Sequence, residues 1–71
     1  MKATLYDLAR AYVKVIEKIE RTSNPKELHE LEEQRVIAHN AFADGLKVAG
    51  IRYKDREHVT RIAYRIANEE L

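Results

Sequence analysis

The chain has 71 residues, 13 Lys and Arg against 12 Asp and Glu, a formal net charge of +1 and 45% hydrophobic residues. That length fits one domain, and apolar content this high with so little net charge excludes a disordered chain. Two Gly and one Pro exclude a collagen-like or turn-rich all-β chain, and the lack of Cys excludes disulfide scaffolds and Cys-based metal or iron–sulfur sites.

Apolar residues recur at helical rather than alternating spacing. In the first segment Leu5, Leu8, Ala9, Tyr12, Ile16 and Ile19 share one face. Thr4 and Asp7 fit a capping box, so a helix is predicted over about residues 4–21. Val13 and Val15 flank this stripe and read as apolar surface beyond what one core face needs. Thr22-Ser23-Asn24-Pro25 then stops the helix. Asn24 suits the next N-cap, Pro25 the first helical position and Glu27 the third. So short a connection folds the second helix back antiparallel to the first.

The second helix is predicted from Pro25 to about Ala49, roughly 37 Å at 1.5 Å per residue. Leu28, Leu31, Ala38, Phe42, Leu46 and Ala49 form its stripe. Gly45 falls on the apolar side and marks a close helix approach. Gly50 reads as a left-handed C-terminal stop, with Ile51 placed as in a Schellman motif. Arg52-Tyr53-Lys54 leads to a third helix capped by Asp55 and running to the C-terminus, with Val59, Ile62, Ala63 and Ile66 inward. The expected fold is all-α: a single domain over 1–71, an up-down-up antiparallel three-helix bundle with a long central helix. No apolar run approaches the ~20 residues of a membrane span. Met1–Asp7 lacks a signal-peptide core, so a cytoplasmic protein is expected.

Charge is unevenly placed. Arg10, Lys14, Lys18 and Arg21 form a basic stripe on the first helix, while Glu27, Glu30, Glu32 and Glu33 crowd the start of the second. Acidic side chains are favoured there by about 0.3–1 kcal/mol each. The hairpin brings the two groups together, so complementary electrostatics within the bundle is the preferred reading.

The informative anomaly is on the second helix. At 100° per residue, Arg35 and His39 fall inside the apolar arc, with Glu32 and Gln34 on its borders. A buried charge needs a partner. Glu32 is the nearest carboxylate for Arg35, and Glu69 or Glu70 are alternatives from the third helix. If Arg35 is buried, removing its partner costs about 3–5 kcal/mol. The structural reading makes Arg35 and His39 a satisfied polar layer that fixes helix register. The functional reading makes them a ligand pocket or anion site with Arg65 or Tyr64. A third reading puts the pair in a subunit interface.

The run Glu33-Gln34-Arg35-Val36-Ile37-Ala38-His39-Asn40-Ala41 resembles the Glu-x-Arg-x-x-Ala-His-Asn-Ala stretch of small uncharacterised bacterial helical proteins. The resemblance covers nine residues. That family has no assigned activity, so the resemblance draws interest to Arg35, His39 and Asn40, the candidate binding residues, and implies nothing about their role.

Other chemistries are less well supplied. A ribonuclease built on Arg and His of one helix would use a wider spacing and a longer domain, and a lone Arg–His pair is not a mechanism without its geometry. His29 and Glu33 sit four apart, but they supply two of the three or four ligands a zinc site needs; His39 is about 15 Å along the helix. No metal or other cofactor is expected. Ser23 has no His near it, and no Gly-rich phosphate loop exists. The third helix and the loop before it offer Arg52, Lys54, Arg56, Arg61 and Arg65 as a nucleic-acid surface. Yet Arg56 takes a position that a helix-turn-helix needs apolar, and the near-neutral total speaks against nucleic acid as a partner.

Apolar residues are also left over. Ile37, Ala41 and Val48 lie away from the stripe of the second helix, and Tyr64, Ala67 and Leu71 form a second line on the third. Clustered exposed apolar residues mark interfaces, and two-fold dimers are the commonest oligomers. The reading is therefore a small non-enzymatic interaction or structural module, a homodimer with Ile37, Val48, Tyr64 and Leu71 at its interface. The same surface could accept a partner's amphipathic helix. The alternatives are a ligand- or anion-binding protein using Arg35 and His39, and a nucleic-acid-binding regulator acting through the third helix.

Overall fold

A computed structural model describes residues 4–68. Three helices follow in order: α1 (Leu5–Arg21), α2 (Pro25–Val48) and α3 (Arg56–Ala67), with no strand among the described residues.

The helix ends obey local chemistry. Thr4 Oγ1 accepts from the Asp7 amide and Asp7 Oδ2 accepts from the Thr4 amide, both at 3.1 Å, which closes the capping box of α1. Asn24 Oδ1 accepts from the amides of Lys26 (3.0 Å) and Glu27 (3.3 Å), with Pro25 at the first position of α2. Asp55 Oδ1 accepts from the His58 amide at 2.8 Å and starts α3. At the end of α2, Gly50 has φ +75°, its amide donates to Lys47 O (3.1 Å), and the Ile51 amide donates to Leu46 O (2.9 Å). Those two bonds are the Schellman pair, and they need a residue tolerant of the left-handed region. The expectation that α3 runs to the C-terminus is corrected within the described residues. It ends at Ala67: the Asn68 amide makes the last helical bond, to Tyr64 O (3.0 Å), and Asn68 itself, at φ −92° and ψ 3°, leaves helical geometry.

α1 is the middle element. It packs along both α2 and α3, whereas α2 and α3 touch only sparingly. The core joins Ala9, Tyr12 and Val13 of α1, Phe42 and Leu46 of α2, and Val59, Ala63 and Ile66 of α3. Val13 is buried, so the expectation that it is surplus surface is wrong. A helix with neighbours on two sides has a wider apolar arc than a helix with one. Gly45 permits a close approach: a Cβ there would meet the Cδ1 atoms of Leu5 and Leu8, each at 3.1 Å. No helix among the described residues is long and apolar enough to cross a membrane.

Candidate functional site

Four-residue spacing stacks Arg35 and His39 on one side of α2, and Tyr12 of α1 reaches both. Arg35 Nε donates to Glu32 Oε2 at 3.0 Å. The side chains are 32% and 47% exposed, so the pair sits at the rim of the bundle rather than inside it. The Glu32 hydrogen bond pushes the guanidinium further above its usual range; desolvation opposes this, and Tyr12 adds to it. The cost attached to a fully buried pair therefore does not apply here, and a partly exposed pair contributes roughly 0–1 kcal/mol. Glu69 and Glu70, the other expected partners, lie outside the described residues.

His39 is placed differently. Its ring meets Tyr12 edge-on, with centroids 5.4 Å apart at 78°. Its Nε2 is buried and has no hydrogen-bond partner among the described residues. Tyr12 also lies over Phe42 at 6.4 Å, and its hydroxyl is 2.9 Å from Thr60 Oγ1. Thr60 donates its single hydroxyl proton to Arg56 O at 3.1 Å, so Tyr12 is the donor in the Tyr12–Thr60 bond. Tyr12 thus ties α1 to α2 through rings and to α3 through a hydroxyl. Sequence reasoning read it as core only. The available signal was that a buried tyrosine hydroxyl needs a partner, and Thr60 is a polar interruption on the third helix.

The remaining candidates scatter. Asn40 and Arg65 face solvent. Tyr64 packs half-buried against the core, and burial, then Glu20 and Glu17, pushes its phenol upward. Ile37 and Val48 are 70% and 90% exposed on α2. Leu71 lies outside the described residues. His29 Nε2 and Glu33 Oε1 approach to 3.4 Å on an open face, and no group of three or more metal-ligating side chains occurs among the described residues.

None of the concave surfaces found among the described residues is lined by Arg35 or His39. At the α1–α2 turn, Lys18 and Arg21 share a cleft of about 360 Å³ with Glu27 and Glu30. This is the complementary charge expected of the hairpin. Along α3, a shallow trough of about 760 Å³ runs past His58, Arg61, Tyr64 and Arg65. In comparison with known proteins, no family model matches the sequence, and no curated protein or solved structure is significantly similar to it.

Proposed function

We propose that this chain is a small, non-enzymatic helical interaction module that pairs with a second copy of itself through the outer face of α2. The observation that carries the reading is the exposure of Ile37 and Val48, 70% and 90%, on a helix whose other side already fills the core. Ala41 lies between them at helical spacing, and Val36 and Ile51 add exposed apolar area nearby. Single exposed apolar residues mean little, but a line of them marks an interface. Two-fold pairing closes such a surface. The proposal takes the module to be cytoplasmic.

The ligand-site reading has weaker support, because Glu32 already meets the charge of Arg35. Thermal unfolding over a hundredfold range of protein concentration tests the preferred reading. A midpoint that rises with concentration is expected by mass action, and a constant midpoint counts against self-association.

A further inference from the structure

We propose that His58 is a pH-sensitive latch that holds the α2–α3 connection against the bundle at neutral pH and releases it on acidification. The latch is a hydrogen bond: the Lys54 amide donates to His58 Nδ1 at 3.0 Å. A backbone amide can only donate, so Nδ1 is the bare nitrogen of a neutral imidazole whose proton is on Nε2. Protonation puts N–H groups on both ring nitrogens, and the Lys54 amide then faces a donor instead of an acceptor. Histidine is the side chain that ordinarily makes this change between about pH 5 and 8.

The arrangement is a capping box with histidine in the returning arm. Asp55 Oδ1 accepts from the His58 amide at 2.8 Å, and the His58 side chain reaches back to the amide just before the cap. In the common form of the box an acidic or carboxamide side chain makes the return bond, and its acceptor oxygen persists through mild acid. Thr4 and Asp7 make a box of that kind at the start of α1. At α3 the return bond depends instead on the charge of a ring. What it holds is the connection carrying Tyr53, which packs half-buried against the core. The charged and titratable side chains that share the concave surfaces of His58 are Lys54, Asp55, Glu57, Arg61, Tyr64 and Arg65, all from α3 or the connection. Both carboxylates already have partners: Glu57 holds Arg61 at 2.9 Å, and Asp55 holds the His58 amide. Lys54 is exposed, so its amide is left to water once the ring takes a proton.

Nuclear magnetic resonance on the intact chain tests this. At about pH 7.5 the ring nitrogens of His58 should show the Nε2–H tautomer, and the Lys54 amide should exchange with solvent more slowly than in an unstructured chain. Lowering the pH to about 5.5 should erode that protection about fivefold, the factor carried by one hydrogen bond of ordinary net worth. Each rate is divided by the intrinsic rate at the same pH. In His58→Asn the carboxamide Oδ1 takes the place of Nδ1 and accepts at every pH, so protection should persist at both values. In His58→Ala it should be absent at both. His29 and His39 remain in each variant, so a pH effect that came from either ring would survive the substitutions. The inference is overturned by an Nδ1–H tautomer at the higher pH, by wild-type Lys54 protection that is unchanged across the range, by the same pH-dependent loss in His58→Asn, or by protection retained in His58→Ala.

Discussion

The two faces of α2 break the helical pattern in opposite ways. Inward, Arg35 and His39 are polar side chains in an apolar arc; outward, Ile37 and Val48 are apolar side chains in water. The inward exceptions have neighbours in the fold, although the Nε2 of His39 is left without a hydrogen-bond partner among the described residues. Arg35 reaches the rim and pairs with Glu32, and His39 rests its ring against Tyr12. The outward exceptions have no such neighbours within the bundle. An anomaly met by its own fold points to stability, whereas one left unmet points to a partner, and that asymmetry directs the functional reading to the outer face.

Substitutions can break this comparison. The largest effect is expected at Tyr12, which joins His39, Phe42 and Thr60. Tyr12→Ala should cost about 3–5 kcal/mol in chemical denaturation, the range for deleting a buried aromatic ring. A loss below about 1 kcal/mol would mean that the inward face is not organised around this ring. His39→Leu should move the other way. It removes an unpartnered buried nitrogen, worth about 1–3 kcal/mol, and forfeits a ring contact worth about 0.5–1.5 kcal/mol. A net gain of about 1 kcal/mol is expected from that difference. A net loss would show that Nε2 is satisfied in solution and would return His39 to the candidates for ligand binding. The smallest effect is Glu32→Ala, expected to cost less than about 1 kcal/mol and to be screened by salt. A cost of about 3 kcal/mol or more would mean that Arg35 is enclosed in solution, by a second copy for example.

Much of the fold was legible because it rests on local chemistry. Thr4, Asp7, Asn24, Pro25, Gly50 and Asp55 each act within a few residues of themselves, and the helix boundaries follow. The pairing of Arg35 with Glu32 was legible for the same reason, as an i,i+3 neighbour. The depth of that pair was not. Position on a helical wheel gives direction, while burial depends on where the neighbouring helix lies, and α2 has α3 against it only sparingly. The burial of Val13 was missed for the converse reason: α1 is covered on two sides. The link from Tyr12 to Thr60 spans 48 positions, a separation at which periodicity says nothing about contact.

The central claim is that the outer face of α2 joins two copies, and sedimentation equilibrium on the wild type and on Ile37→Asp/Val48→Asp tests it most directly. Both side chains are exposed, so the variant should still fold, with a loss of about 1 kcal/mol at high dilution because Asp at position 48 opposes the helix dipole and lies four residues from Asp44. The wild type should approach twice the 8.3 kDa chain mass at high concentration, and the variant should remain at the chain mass. A wild type that stays at 8.3 kDa throughout, or a variant that associates as strongly as the wild type, would contradict the account.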